Sequence, residues 1–401
     1  MSTPPPPPDS AALWASKARR RRLSLLGKGL CYLLLAAGGL TFILPLAWML
    51  STSLKPKGSV FVYPPQWVPR RQATVRLSTG PDAGEHRLAW ATDEQGRRLK
   101  VAELRATPEG VLVRVLEPAE GQRELLLLPA RRLEPIRDVD VRWDNYSKAW
   151  NALRLREPWL AVHVPYAVRI PLGGRALQIG PVHFEGFRIR SAFTAFYLNS
   201  VIVAVLVTVG QVLTSSLAAY AFARLHFPGR DKLFLGYLGT LMVPYVVTMI
   251  PVFVLLRLMH LVDTYAALIL PAMFSAYGTF MLRQFFLTIP TELEDAARID
   301  GCGQWGIYTN VILPLSKPAL ATLTTFVFLS NWNSFMWPLI VISSPEKKTL
   351  PIGLYAFMGQ YDTEWTLLMA ASLVALLPVL LVFVLGQRYF VRGIVMSGLK
   401  G

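Results

Sequence analysis

Residues Thr291 to Pro314, TELEDAARIDGCGQWGIYTNVILP, place five charges between two long apolar runs. Thr291 and Glu294 have the Ser/Thr-x-x-Glu spacing of a capping box, and Pro290 marks the turn before it, so a helix is expected to start here. Ala296 and Ala297 favour the helix and carry almost no bulk, which lets another protein surface approach the backbone closely. Gly301 suits the left-handed position that ends a helix. A second helical segment is expected from Gln304 to Ile312, with Pro314 closing it. Ile299 on the first helix, and Trp305, Tyr308 and Ile312 at helical spacing on the second, are available as apolar or aromatic anchors. The chemistry on offer is recognition, a short helix laid into a partner's groove. An amphipathic connector resting on a membrane surface has the same pattern.

Groups for covalent or proton chemistry are missing where they would be needed. The long apolar runs hold no ionisable pair, which removes support for catalysis or proton coupling at membrane depth. The Gly27-Lys28 pair is followed by Gly29 rather than by the Ser/Thr of a phosphate loop, so no nucleotide site is expected. The five histidines are scattered without metal-ligand spacing, and Cys31 and Cys302 do not suggest a disulfide framework. No cofactor is expected on this chain, and uphill transport would need energy from another subunit. Polar lining is the remaining chemistry. Asn331, Trp332 and Asn333 stand in SNWNSFMWP, where the amides must face other helices or water. They serve either as interhelical hydrogen-bonding groups or as a lining suited to the hydroxyl rims and apolar faces of a sugar. Pro244 and Pro251 free backbone carbonyls within an apolar run and mark a candidate kink on a translocation path.

These residues depend on membrane helices for their placement. The chain is 53% hydrophobic and 16% charged, with a mean hydropathy of +0.39, a poor fit to a large soluble core. Six charge-free runs lie between Lys28 and Lys55, Arg190 and Arg224, Lys232 and Arg257, Asp263 and Arg283, Lys317 and Glu346, and Glu364 and Arg388. Each is close to or above the roughly 20 residues that a crossing needs, so an all-α membrane protein with six transmembrane helices is expected. The net charge of +16 raises nucleic acid as a partner. The basic residues instead flank the apolar runs on one side, the cytoplasmic side if both termini lie there, as the positive-inside bias requires.

By this reading residues 1–28 are a disordered, Pro-rich and basic cytoplasmic tail. Residues 29–54 form the first transmembrane helix, too long for a signal peptide. Residues 55–190 form an extracytoplasmic β-rich insertion, and residues 191–401 a five-helix core carrying the loop 291–314. Within the insertion HRLAWAT, RRLKVAEL, GVLVRVLE and RELLLLPA read as strands separated by DEQG, TPEG and PAEGQ. AVRIPL and RALQIG read as a hairpin around Gly173 and Gly174.

EDAARIDGCGQWGIYTNVILP resembles the cytoplasmic loop of the membrane subunits of binding-protein-dependent ABC importers, Glu-Ala-Ala, three residues, Gly, nine residues, Ile-x-Leu-Pro. Asp295, Ala296, Ala297, Gly301, Val311, Leu313 and Pro314 keep that spacing, with Asp295 in place of Glu and Val311 in place of Ile. MVPYVVTMIPVFVLLRLMHLVDTYAALILP and the tail QRYFVRGIVMSGLKG are similar to the carbohydrate branch, the maltose-type permeases. The resemblance covers the first span loosely, NYSKAW, and nearly everything from Phe193 to Gly401, and leaves out about Pro64 to Val141 and Glu157 to Arg190. It implies a type I ABC importer permease fold and a heterodimer with a related permease. It also implies two ATPase subunits that carry ATP and Mg, an external solute-binding protein and a sugar substrate. Glu294, Asp295, Ala296, Ala297, Ile299, Asp300, Gly301, Val311, Leu313 and Pro314 would then couple to the ATPase, and Gly398, Leu399, Lys400 and Gly401 would be a second contact. The competing class is a membrane-anchored receptor or scaffold whose external β domain binds the ligand. Deleting residues 66–141 separates the two: a receptor would lose its function, whereas a permease would keep its basal assembly with the ATPase.

Overall fold

The structure, a computed structural model, describes the backbone of residues 10–397 apart from 64, 79–81, 93–97, 109, 118–124, 161, 165–167, 173–174, 180–181, 185 and 360–362; side chains are described for 25 and 27–388 outside those gaps, residue 117 and 161–185. It divides into two compact units, Met1–Arg142 and Trp143–Gly401.

The first unit opens with α1 (Ser10–Ser53), whose apolar part Gly27–Ser53 is long enough to cross a bilayer and has none of its apolar window buried. The helix extends back through part of the segment expected to be disordered. Ala, Leu, Lys and Arg dominate from Ala11 onward, all good helix formers, and the prolines end at Pro8. Pro4 to Pro8 lie outside the described residues.

Most of the other described elements of this unit are β-strands. They are β1 (Arg70–Gln72), β2 (Thr74–Leu77), β3 (Gly84–Thr92), β4 (Arg98–Thr107), β5 (Gly110–Glu117), β6 (Leu125–Leu128), β7 (Leu133–Pro135) and β8 (Arg137–Val139). The four runs read as strands are β3 to β6, paired antiparallel in sequence order. DEQG and PAEGQ lie outside the described residues. β2 and β7 share the other edge of β3, β2 along Gly84 to Arg87 and β7 along Ala89 to Ala91. Ala89, Ala91, Val101 and Val113 are fully buried and close a small core on one face. Ala89 and Ala91 share that face because the period of two puts every second residue of a strand on the same side. β1 pairs with β8 as a separate ribbon.

In the second unit α2 (Asp144–Asn151) precedes two short antiparallel ribbons. β9 (Val162–Val164) pairs with β12 (Val182–Phe184), and β10 (Val168–Leu172) with β11 (Arg175–Ile179). The expected hairpin is thus present, with Gly173 and Gly174 outside the described residues. α3 (Ala192–Arg224) is the central helix, capped by the Ser191 hydroxyl, which accepts from the Thr194 N–H. There follow α4 (Arg230–Gly239), α5 (Tyr245–Leu258), α6 (Tyr265–Ile269), α7 (Ala276–Phe286), α8 (Glu292–Ile299), α9 (Gln304–Ile307), α10 (Leu313–Leu315), α11 (Lys317–Trp332), α12 (Met336–Val341), α13 (Leu350–Tyr355) and α14 (Trp365–Ser397).

Among the described residues four stretches are long and apolar enough to cross a membrane: Gly27–Ser53, Ala192–Arg224, Tyr265–Phe286 and Trp365–Arg388. Two bent pairs raise the number to six if each counts as one span. The third apolar run is one of these, not a straight helix: α4 and α5 meet at 101°. Pro244 lacks a donor and pushes Val243 into an extended conformation, so the helix stops there and restarts at Tyr245. Pro251 lies inside α5.

α3 packs against α7 and α11 through small residues, as bilayer helices must when lipid supplies no hydrophobic drive. Ser215, Ser216 and Ala219 of α3 are buried. A Cβ on Gly278 of α7 would lie 2.7 Å from the Ser215 Oγ, and one on Gly353 of α13 would lie 2.2 Å from the Phe196 ring.

Buried Asn199 of α3 binds segments distant in the chain. Its Oδ1 accepts from the Trp159 indole N–H (2.7 Å) and the Tyr265 hydroxyl (2.8 Å), while its Nδ2 donates to the carbonyls of Glu346 (2.8 Å) and Lys348 (2.9 Å). The loop so held is gripped a second time by Asp263. That carboxylate accepts from the Ser343 and Ser344 N–H groups (3.0 and 2.9 Å), the Ser344 hydroxyl and the Lys347 ammonium (3.1 Å). Burial alone would push the Asp263 carboxyl up, but these donors outweigh it and hold it below its ordinary value of 3.8. A depressed folded value stabilises the protein above the ordinary value, and that contribution is lost as pH falls through the lower, folded one. Asp263→Asn is therefore expected to lower the melting temperature at neutral pH and to flatten its acid dependence. A melting temperature equal to wild type at pH 7 would contradict this role.

Candidate functional site

The polar stretch leaves α7 at Phe286 and turns into α8, whose first turn holds Glu292, Glu294 and Asp295, acidic side chains that favour the positive end of a helix. The expected capping box is absent. Thr291 has helical backbone angles and makes no side-chain cap, only backbone bonds from the N–H groups of Glu294 and Asp295 to its carbonyl. Glu294 does not reach back because it turns inward: it is buried and its Oε1 lies 2.8 Å from the Arg224 Nε at the end of α3. The contact is ionic, its geometry not that of a hydrogen bond. The Arg224 Nη2 also donates to the carbonyls of Phe286 and Ile289, each at 2.5 Å. Arg298 pairs with Asp295 at 2.7 Å on the exposed side.

The C-terminus of α8 closes as the glycine spacing requires. Gly301 has φ +84°; its N–H donates to the Arg298 carbonyl (3.0 Å), and the Cys302 N–H donates to that of Ala297 (2.9 Å). This is a Schellman motif, and the half-buried Ala297 and Cys302 pack against the same core.

Beyond the turn, the helical segment expected from Gln304 to Ile312 is α9 followed by a π-helical stretch from Tyr308 to Ile312. Two of the expected anchors are not available there. Tyr308 and Ile312 are buried in the α3/α7 core, and the Tyr308 hydroxyl lies 2.7 Å from the Ser216 Oγ. Ile299 is 88% exposed and Trp305 67% exposed, so the outward apolar surface consists of these two and the half-exposed Leu293. Asp295, Ala296, Asp300 and Pro314 are exposed, while Val311 and Leu313 are half-buried. α8 thus buries a single side chain, Glu294, and presents nearly all the rest.

The residues that hold this segment were not legible as site residues. Ser216, Tyr220 and Arg224 recur every fourth residue, on one face of α3. Each meets the polar stretch: Ser216 at Tyr308, Tyr220 at the Gln304 side-chain oxygen (2.8 Å), and Arg224 at Glu294. The available signal was that spacing of polar groups in an otherwise apolar helix. By position alone Arg224 has the character of a basic flank at the end of an apolar run.

A second site lies within the helices, a cavity of about 400 Å³ lined by Ser200, Gln211, Tyr245, Phe274, Ser275, Ser330, Asn331, Ser334 and Trp337, among others, with no charged side chain among the described residues of its lining. Of the expected path residues only Asn331 lines it. Its Nδ2 donates to the Val327 carbonyl of its own helix at 2.8 Å. Asn333 bonds its own helix likewise, at Leu329, and is exposed. Trp332 is buried instead, its indole N–H donating to the Ala375 carbonyl of α14. Pro244 and Pro251 are exposed; Tyr245, set by the break at Pro244, reaches the cavity. Gly398, Leu399, Lys400 and Gly401 lie outside the described residues.

Residues 211–396 match the family model described as binding-protein-dependent transport system inner membrane component. Over 209 residues the chain is 40% identical to the arabinooligosaccharides transport system permease protein AraQ of Halalkalibacterium halodurans, covering 52% of this chain and 75% of that one. The chain belongs to this family. It is also 41% identical over 207 residues to the sn-glycerol-3-phosphate transport system permease protein UgpE of Pectobacterium atrosepticum, covering 51% of this chain and 74% of that one. In fold it is similar to a chain of a bacterial ABC transporter involved in the import of the acidic polysaccharide alginate, with a TM-score of 0.58 and 18% identity over 97% of this chain and all of that one. The fold is that of type I ABC importer permeases, with a β-rich insertion. This binding-protein-dependent permease is a membrane subunit without catalytic chemistry of its own, the ATPase of such an importer being a separate subunit.

Proposed function

We propose that this permease carries a sugar, a mono- or oligosaccharide or a related polyol, across the membrane through six spans. The bent pair α4 and α5 counts as one of them, and both termini are cytoplasmic. Its partners are a second, related permease, two ATPase subunits that bind ATP and Mg, and an external solute-binding protein. α8 is the coupling helix, with Asp295, Ala296 and Ile299 on its docking surface and Gly301 at its end. The observation that carries this reading is the way α8 is held: exposed almost throughout, yet locked to α3 by the buried Arg224–Glu294 pair. A force applied to α8 therefore passes into a helix that crosses the membrane and lines the cavity through Ser200 and Gln211. That cavity supports the substrate class. Hydroxyls and amides beside Trp337, Tyr245 and Phe274 match a neutral polyhydroxyl solute, and a relative is named for arabinooligosaccharides.

Two measurements test the reading. In the reconstituted complex a saccharide or polyol is expected to stimulate ATP hydrolysis; stimulation by an amino acid or an inorganic ion alone would reject the substrate class. Ile299→Asp, at a side chain that touches little of its own chain, is expected to leave the melting temperature unchanged and to abolish co-purification with the ATPase. Undiminished co-purification would remove α8 from the interface.

A further inference from the structure

The base of the β unit carries apolar side chains that its own core leaves uncovered. Phe61 is 76% exposed and Tyr63 91%, and Trp67, Val68 and Val139 are exposed beside them in sequence or through the β1–β8 ribbon. Hydrogen bonds to the end of α1 set the depth of this surface. The Ser51 hydroxyl donates to the Trp67 carbonyl, and the Trp67 ring stands edge-on against Trp48 at 5.2 Å. The Arg142 N–H donates to the Leu54 carbonyl at 2.9 Å, and within the β unit the Asp140 N–H donates to the Pro69 carbonyl at 3.0 Å, which ties the Trp67 segment to the strand leading to Arg142. The chain therefore does not rise away from α1 but folds back along its last turns. Trp48 precedes Ser53 by five residues, about 7.5 Å at the rise of an α-helix. Trp67 thus lies level with a side chain inside the apolar stretch Gly27–Ser53.

Beside the last turns of a spanning helix, hydrocarbon gives way to headgroups, and this is where the amphipathic rings of Trp and Tyr are most favoured. Arg70 and Arg71, next in sequence to this apolar run, are exposed cations of the kind that suit lipid phosphates. We propose that Phe61, Tyr63, Trp67, Val68 and Val139 form an interfacial foot that beds the β unit in the headgroup layer of the leaflet from which α1 emerges at Ser53. Its partner is the phospholipid surface. The foot rests on α1 crossing the membrane and does not depend on α8 being the coupling helix.

Spin labels test this in the full chain. Tyr63→Cys and Val68→Cys, each with Cys31→Ser and Cys302→Ser, are labelled and placed in nanodiscs of phosphatidylethanolamine and phosphatidylglycerol. Arg105→Cys, on the exposed side of β4, serves as the reference in water. The ratio of oxygen to nickel-chelate collisions at 63 and 68 is expected to exceed that at 105 several-fold. A ratio equal to that at 105 puts the surface in water, and low collision with both reagents puts it under protein; either result overturns the foot.

Discussion

Arg224→Met is expected to destabilise the permease by about 3 kcal/mol, because it leaves the buried Glu294 with only the half-exposed Arg298, 3.8 Å away, as counter-charge. The side chains are only 6% and 3% exposed, so water cannot replace the lost partner. The substitution also strips the Phe286 and Ile289 carbonyls of their shared donor. The double substitution Arg224→Met/Glu294→Met is expected to recover most of the loss, since apolar side chains of similar volume replace buried ion pairs with little net change. Thermal unfolding in detergent measures both. Coupling should separate from stability in the double variant: the protein folds, but α8 is no longer locked to α3, and solute-stimulated hydrolysis falls while ATPase association persists. A single substitution no more harmful than the double one would show that the pair is not a lock.

Gly301→Val is expected to impair uptake more than folding. A β-branched residue at φ +84° is strained by roughly 1–2 kcal/mol, yet nothing lies within 4 Å of the added Cβ. The strain therefore falls on the backbone of the turn, which relaxes by releasing the Arg298 and Ala297 carbonyls and fraying the end of α8. Membrane insertion and the melting temperature should remain close to wild type, while hydrolysis proceeds without solute uptake. Uptake that stays coupled to hydrolysis in this variant would separate the Schellman turn from force transmission.

The polar stretch shows how far local signals reach. Glycine at the left-handed position, the alanine pair and the proline that follows depend only on a few neighbouring residues, and helix, turn and helix are found where they were expected. Thr291 shows where such signals stop: Glu294 had a capping partner three residues away and a counter-charge on another helix, and the buried ion pair outcompeted the exposed cap. Tyr308 and Ile312 had the same helical spacing as Trp305, but the direction of that face depends on how α9 sits against α3. Asn331, Trp332 and Asn333 are consecutive, yet a helix turns each by about 100°, so one lines the cavity, one enters the core and one is exposed.

The sequence by itself determined the apolar spans, the central strands of the β insertion, the break at Pro244 and the form of the polar segment 291–314, because hydropathy, period and turn chemistry act over short stretches of chain. Only the tertiary structure decided which polar residues became structural. Arg224 became a lock, Asn199 a knot between loops and Asp263 a clamp, since burial and partners come from segments far apart in sequence, and a polar group inside a membrane protein takes its role from whatever satisfies it.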